Sequence, residues 1–526
     1  MALVLLGTVV TFDGDHRILD PGAVYVGDDG RLDAVQPAGA DPPAGFADAP
    51  RIDTGALILP GLVDLHNHLG YNTLPLWEAV GVPYLHHDRW VDEKHPPDYS
   101  TTVTWPARVL GQAAPEALIK YVEVKALIGG TTSIQGPPHS TRPVDGWLLR
   151  IIDNEKLPAG RDLVLTSALQ LDADVLRQDR APKLDGTRLL IYHVAEGRRV
   201  EEVDPVSPQS VVHREFADLE TCLKPGLIGV HGTALTSAEF TRWRDCVAAI
   251  DAAERGTVVW SPFSNYWLYH ETTDVVDAAG KGLRIALGSD WSPSGTKHVL
   301  GELKVADALN SHEFGRHFDD RDLCDMVTAN PGDALATAWG PQVGRLERGS
   351  AADLLVLQGH DPAGDVYRNL IDAVERHVLL VLVRGRPCYG TSALMTAAGA
   401  RGTNTIPEAG PGRSVAVRQP GRADATLDWR GVKQALAKVR HDPVGAWRGA
   451  QIALAAWGGP PDGPGAPLAL FGDMPEGDLG AFAATDDIPP DLVVPGPAAL
   501  THDAAYFAAV ARSRVPQLER LKAYYT

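Results

Sequence analysis

The chain is poor in sulfur, with four cysteines and four methionines in 526 residues. Cys222, Cys246, Cys324 and Cys388 are scattered and form no Cys-x-x-Cys pair. That argues against a disulfide framework and a thiolate metal cage, and fits a reducing cytoplasm. No apolar run approaches the roughly 20 residues needed to span a bilayer. Basic residues are outnumbered, 48 Lys and Arg against 67 Asp and Glu, for a net charge of −19. Broad binding to nucleic acid or to an anionic membrane is therefore disfavoured. The opening "MALVLLGTVVTFDGDHR" has no basic leader and no small-residue cleavage site, so it reads as a first strand and a turn at Asp13-Gly14, not as a signal peptide. Internal repeats and low-complexity tracts are missing too. What is present is an ordinary globular composition, 44% hydrophobic and 22% charged, in a chain long enough for about three to four domain equivalents or one large domain with attachments.

Residues 1–58 read as short strands, Leu3–Phe12, Ala23–Val26, Leu32–Val35 and Ala56–Leu59, punctuated by Gly and Asp. From about 60 to 340 short apolar runs alternate with amphipathic stretches. The runs are "LVDLH" (62–66), "TTSIQ" (131–135), "LVLTS" (163–167), "LLIYH" (189–193), "LIGVH" (227–231), "TVVWS" (257–261) and "RIALGSD" (284–290). Continuous apolar runs are the signature of strands buried on both faces. A third strand falls near 147–152. Residues 115–128 place Leu118, Ile119, Val122 and Ala126 on one helical face and stop at Gly129-Gly130. Thr236-x-x-Glu239 is a capping box. This alternation predicts an α/β fold, a (β/α)8 TIM barrel over 59–343, a span close to the typical length of about 250 residues. "GRLERGSAADLLVL" (344–357) and "HVLLVLVRGRPCYG" (377–390) return to short strands. Residues 1–58 and 344–400 are thus expected to form one small β-sandwich into which the barrel is inserted. Residues 401–526 read as a linker, rich in Gly, Pro and Thr over 402–424, and a partly helical extension with helices near 428–440, 444–456 and 502–524.

Two imidazoles, His66 and His68, close the first barrel strand in "VDLHNHLG". Residues i and i+2 of a strand share a face, and the C-terminal strand ends build the active site of such a barrel. The other runs end in kind: "LLIYHVAEG" in His193 with Glu196 just beyond, "LIGVHG" in His231, "RIALGSD" in Asp290. Each alone has a plainer role: a core histidine bonded to backbone, a helix cap at Asp290, a solvated loop residue at Glu196. Their joint placement at successive strand ends points to a metal-dependent hydrolytic site, because imidazole and carboxylate donors suit zinc, or iron of similar preference. By alternation Val63 and Leu65 are expected to face away from the histidines, toward the surrounding helices.

"LPGLVDLHNH", "HVAEG", "VHG", "SPFSN", "LGSD", "TANPGDAL" and "GRLERGSAADLLVL" together resemble the amidohydrolase superfamily over about residues 1–400. Within it they resemble the cytosine deaminase and triazine-chlorohydrolase group. The resemblance implies one divalent metal per chain, zinc or alternatively iron, held by His66, His68, His193 and Asp290. It implies that Glu196 shuttles protons, that Asp290 accepts the proton of the attacking water, and that His231 contacts that water or the substrate. Binuclear branches of the superfamily carry a carboxylated lysine at the end of strand four. Here that strand is "LVLTSALQ", without lysine, and Lys120 and Lys125 lie on a predicted helix.

The expected activity is hydrolysis of a non-peptide C–N bond, most simply deamination of an N-heterocycle. Cyclic-amide hydrolysis and displacement of another leaving group from a heteroaromatic ring use the same relay. A catalytically dead scaffold would be expected to have lost ligands, and none is lost. The loop after strand one holds Tyr71, Trp77, Tyr84, His86, His87, Trp90 and Trp105, which either cover a flat ring or anchor the loop to the barrel rim. Tyr71, Asn72, Gln135, Asn265 and Trp291 are the candidate substrate contacts. The expected partners are a small-molecule substrate and a second copy in a homodimer, with neither nucleic acid nor membrane. The extension beyond 400 departs from the family pattern and is expected to pack against the barrel rim, narrow the mouth or build a subunit interface; His502 within it reads as structural.

Overall fold

The computed structural model describes residues 2–78, 83–92, 98–140, 147–154, 164–167, 171–199, 208–336, 338–339, 342–359, 365–418, 426–457, 467–471 and 488–526. The N-terminal strands are β1 (Leu3–Val10), β2 (Ile18–Val26), β3 (Leu32–Pro37) and β4 (Arg51–Pro60). Next come β5 (Leu62–Asp64), β6 (Thr131–Ile134), β7 (His139–Ser140), β8 (Arg150–Ile151) and β9 (Val164–Ser167). They are followed by β10 (Leu189–Val194), β11 (Leu227–His231), β12 (Thr257–Trp260) and β13 (Arg284–Leu287). The chain then forms β14 (Leu354–Leu357), β15 (Val378–Val383), β16 (Arg386–Thr391), β17 (Asn404–Thr405), β18 (Arg413–Val415) and β19 (Leu470–Phe471).

Both ends of this strand series meet in one nine-stranded sheet, in the order β17-β18-β16-β15-β14-β4-β1-β2-β3. The junction is the antiparallel pair β4–β14, with Pro60 opposite Leu354 and Leu57 opposite Leu357. One apolar cluster on this sheet draws on both segments: Leu3, Leu5, Val24 and Ile58 pack with Leu354, Val356, Leu380 and Leu382. Residues 404–415, read from composition as linker, supply β17 and β18 at the edge of the sheet.

The intervening segment forms two parallel arcs, β5-β6-β8 and β13-β12-β11-β10-β9. They meet where Asp290 N donates to His66 O at 2.9 Å and His68 N donates to Asp290 O at 2.9 Å, a parallel bridge between Asn67 and Asp290. All eight strands therefore run the same way. Their shared apolar cluster contains Leu189, Ile191, Ile228, Val230, Val259 and Ala286. Val63 and Leu65 belong to it, together with Ala334 and Leu335 of helix Ala329–Ala336. β5 ends at Asp64 and the chain bends at Leu65 and His66.

Two helices fall at their expected places. Pro115–Ile128 is helical and stops at Gly129, and Ser237–Ile250 begins with the Thr236–Glu239 capping box. In the extension, Trp429–His441 lies along the first of these, with Trp429 stacked on Tyr121 at 5.6 Å between centroids. Helix Pro443–Trp457 sets Trp447 edge-on against Trp105 at 5.5 Å. The single helix expected over 502–524 is three pieces, Ala504–Ser513, Pro516–Glu519 and a 3-10 turn Arg520–Tyr525. Arg514 takes a left-handed φ of 56°, and Pro516 cannot continue the preceding ladder. Among the described residues no helix is long and apolar enough to cross a membrane.

Candidate active site

His66 and His68 follow β5, His193 lies in β10, His231 closes β11 and Asp290 follows β13. The parallel arcs bring these ends together. Ring centroids are 4.8 Å apart for His66 and His68, 4.6 Å for His66 and His193, and 5.2 Å for both His66–His231 and His193–His231. His66 Nε2 lies 3.1 Å and His68 Nε2 3.4 Å from Asp290 Oδ1. Donor atoms of His66, His68 and Asp290, and those of His66, His193 and His231, lie within 4.8 Å of one another. His231 and Asp290 both adopt left-handed backbone, with φ of 65° and 58°. Such conformations are uncommon and cost of order 1 kcal/mol or more outside glycine, and here they coincide with the two strand ends whose side chains enter the cluster.

Burial would raise the Asp290 carboxyl, but the imidazoles of His66, His231 and His68 overcome it and hold the carboxyl well below the carboxylate range. Burial lowers His66 despite Asp290, and drives His231 down to about 3. The His66 and His231 rings thus favour the neutral form beside an ionised carboxylate, which is the state a divalent cation requires of such ligands. The cluster therefore fits such an ion, with nitrogen and oxygen donors and no thiol.

A tautomer argument separates His231 from the other imidazoles. Asn265 Nδ2 lies 3.0 Å from His231 Nδ1. Trp260 Nε1 donates to Thr272 Oγ1 at 2.7 Å, and Thr272 Oγ1 donates to Asn265 Oδ1 at 3.3 Å. Thr272 accepts from the indole and turns its own proton to Asn265 Oδ1, which leaves the Asn265 NH2 facing His231. The His231 proton then resides on Nε2, which lies 3.7 Å from Glu196 Oε1. His231 is thus a hydrogen-bond donor toward the site. Burial pushes the Glu196 carboxyl up to about 7, with His87 opposing and Asp290 adding to the rise.

The five candidate substrate contacts divide. Trp291 and Tyr71 form an aromatic wall: Trp291 lies 6.1 Å from His68, 5.1 Å from Tyr71 and 5.6 Å from Trp90. Asn72, Gln135 and Asn265 brace the site through their side-chain amides. Asn72 Nδ2 donates to Asn67 Oδ1 at 2.7 Å, and its Oδ1 accepts from Ser292 N at 2.8 Å. Gln135 Oε1 accepts from Asn67 N at 3.3 Å, its Nε2 donates to Asp153 at 3.2 Å, and its side chain also bonds His66. Of the other loop aromatics, Trp77 stacks on Tyr84 at 6.1 Å and Trp105 anchors the extension, whereas His87 pairs with Glu215 at 2.8 Å.

Residue pattern alone misses several supports. Asp64 is buried and raised to about 6 by that burial. It accepts from Ser289 N at 3.0 Å, Asn67 Nδ2 at 3.2 Å and the Ser289 hydroxyl, which locks the His-x-His segment to the strand end bearing Asp290. Its place two residues before His66 is the only signal in the sequence. Lys125 is buried and donates to Asn72 O at 2.6 Å and to Ser292 Oγ, so it clamps two loops from below. Gly136, at φ 88°, lies so close to Asn67 that a Cβ would fall 1.6 Å from its carbonyl oxygen; only glycine fits there.

A second cluster, His298, Glu375 and His502, has donor-type atoms equally close together. Backbone N–H groups of Gly301 and Lys297 donate to His298 Nδ1 and His502 Nε2. The remaining nitrogens must carry protons, and both face Glu375 Oε1, at 3.1 and 2.8 Å. That arrangement is a closed hydrogen-bond network, and it makes His502 a tether for the extension.

Residues 209–388 match the amidohydrolase family. It is 26% identical over 402 residues to a 5-methylthioadenosine/S-adenosylhomocysteine deaminase of Syntrophobacter fumaroxidans, covering 68% of this chain and 85% of the relative. It is 25% identical over 363 residues to a 5'-deoxyadenosine deaminase of Methanothermobacter thermautotrophicus, covering 62% and 79%. In fold it is similar to an adenosine deaminase from Xanthomonas campestris with bound zinc, at TM-score 0.55 and 21% identity, covering 73% and 92%. It is also similar to an atrazine chlorohydrolase from Arthrobacter aurescens complexed with zinc, at TM-score 0.54 and 18% identity, covering 73% and 95%.

Proposed function

We propose that the chain hydrolytically deaminates an amino-substituted N-heterocycle of the purine type. The carrying observation is the convergence of four imidazoles and Asp290 with a protonatable Glu196 3.7 Å from His231. The named activities of the two deaminase relatives support the substrate class, and the wall of Trp291, Tyr71 and Trp90 beside His68 suits a flat ring.

His66, His68, His193 and Asp290 would hold one zinc ion, a reading supported by their donor chemistry and by zinc in structures of similar fold. When bound, such an ion supplies a nucleophile near neutral pH by lowering the pKa of water. Asp290, kept ionised by its imidazole neighbours, accepts the proton released by the attacking water. His231 Nε2–H donates to the oxygen that gains charge at the attacked carbon. Glu196, raised to about 7 by burial, delivers a proton to the adjacent ring nitrogen and then, recharged from Asp290, to the departing amine. Water and the amino-heterocycle thus become the ring carbonyl and ammonia.

The two parallel arcs are read as a single (β/α)8 barrel, supported by the bridge at Asn67 and Asp290 and by the likeness in fold. The nine-stranded sheet is read as the small β-sandwich domain, supported by the apolar cluster shared between its two chain segments. Four free cysteines, three of them buried, support a cytoplasmic location.

Ammonia release is to be measured over a panel of amino-purines, amino-pyrimidines, cyclic amides and chloro-triazines. Turnover confined to the amino-heterocycles, lost in Glu196→Gln with metal retained, is the expected result. Turnover of cyclic amides or chloro-triazines alone would overturn it.

A further inference from the structure

Glu196 is held by more than its own strand end. Tyr269, fully buried at the end of helix Pro262–Tyr269, donates its hydroxyl to Glu196 Oε1 at 2.7 Å. Trp90, in the short helix His87–Asp92, donates Nε1 to the Tyr269 oxygen at 3.0 Å. An indole N–H has no acceptor role, so the phenol oxygen accepts from Trp90, and its one proton is directed at Glu196 Oε1. With Oε1 engaged as an acceptor, the exchangeable proton of Glu196 is left to the other carboxyl oxygen. A carboxyl free to spin would present its proton in either sense; this one is set.

The same contacts join Glu196 to the aromatic segment after strand one. His87 N donates to Glu196 O at 3.2 Å, Arg198 N to Leu85 O at 2.8 Å, and His86 bridges Gly197. Tyr84 N donates to Leu268 O at 2.9 Å, and Trp267 Nε1 donates to Trp77 O at 3.0 Å. Trp90 itself lies 5.6 Å from Trp291 and 5.0 Å from Tyr99. One indole therefore forms part of the wall beside His68 and starts the relay into Glu196.

We propose that Tyr269 is the positioning residue for the acid–base carboxyl of Glu196, and that Trp90 makes that alignment depend on how the aromatic wall is seated. The inference rests on the reading of Glu196 as the proton carrier. A ring that stacks on Trp291 and Trp90 would settle the indole and, through Tyr269, aim the proton. A ligand too small to reach the wall would be bound without that alignment, so discrimination falls on kcat more than on KM.

The test compares metal-loaded wild type with Tyr269→Phe, Trp90→Phe and Glu196→Gln, using adenosine as probe. In Tyr269→Phe, kcat is expected to fall on the order of 10-fold or more with KM nearly unchanged, and in Trp90→Phe to fall in the same sense by less. A second readout needs no turnover. The carboxyl C=O infrared band absent from Glu196→Gln should titrate at higher pH in Tyr269→Phe than in wild type, by about one unit, because a donor to the ionised form has gone. An unmoved titration overturns the inference whatever the activity. A fully active Glu196→Gln overturns the acid–base reading instead, while the infrared titration still reports the Tyr269 bond.

Discussion

Asn265 presents its amide NH2 to His231 Nδ1 across 3.0 Å, and so decides which nitrogen of that ring carries the proton. Replacing it with alanine leaves the ring free to take either tautomer. Asn265→Ala is expected to lower kcat by ~10- to 100-fold with little change in KM, as for other residues that orient a site group. Steady-state kinetics at saturating substrate checks this, and a variant with full kcat would remove the donor role from His231.

Glu196 gives the activity its alkaline limit. Burial raises its carboxyl to about 7, so the acid form persists to that pH and is lost above it. The sign follows: a general acid that must be protonated loses rate as pH rises through about 7. The profile of kcat against pH should therefore descend on its alkaline side, and Glu196→Gln should be inactive across the range with its metal still bound. A profile flat from pH 6 to 9 in wild type would contradict this.

Asp64 ties the His-x-His segment to the strand end of Asp290. In Asp64→Asn an amide NH2 would face donors at Ser289 or Asn67, leaving buried polar atoms unpaired at a cost of about 1–3 kcal/mol. Metal retention should weaken by ~10- to 100-fold, as when groups behind metal ligands are lost. Competition against a chelator, read by elemental analysis, measures it; equal retention in variant and wild type would show that Asp64 does not position the ligands.

The His298–Glu375–His502 network sets an acid limit on stability. Burial lowers His502 to about 3 despite Glu375, so the unfolded chain takes up this proton at higher pH than the folded one. The contribution is complete above about 6.5 and is lost as pH falls from there toward about 3. Burial would raise Glu375, but its bonds from His298 and His502 hold it well below the carboxylate range; that contribution is likewise lost on acidification. Tm should fall as pH drops from 7 to 5, and less steeply in His502→Gln. Parallel Tm curves for the two proteins would dismiss the network as a source of the pH dependence.

His66, His68, His193, His231 and Asp290 are legible in the sequence because each ends an apolar run, and parallel strands bring such ends together. Asn72, Gln135 and Asn265 are not separable that way, since an amide that faces substrate and one that backs a ligand occupy the same positions. The third strand of the arcs is faint because only Arg150 and Ile151 pair; it is tied down by the Arg150–Asp353 ion pair at 2.8 Å, a contact across 203 residues that no local pattern encodes. Tyr269 is hidden for the same reason: its value comes from Trp90, 179 positions away.

The pairing of β4 with β14 has a consequence for synthesis. Pro60 and its partner Leu354 are 354 − 60 = 294 residues apart. At typical elongation of about 5–20 residues per second, the apolar edge of β4 waits roughly 15–60 s for the strand that covers it. During that time β1 shields only the opposite edge, and "ALILP" stands open to any other extended chain. Production yield, rather than catalytic rate, is where a substitution along that edge should first be felt.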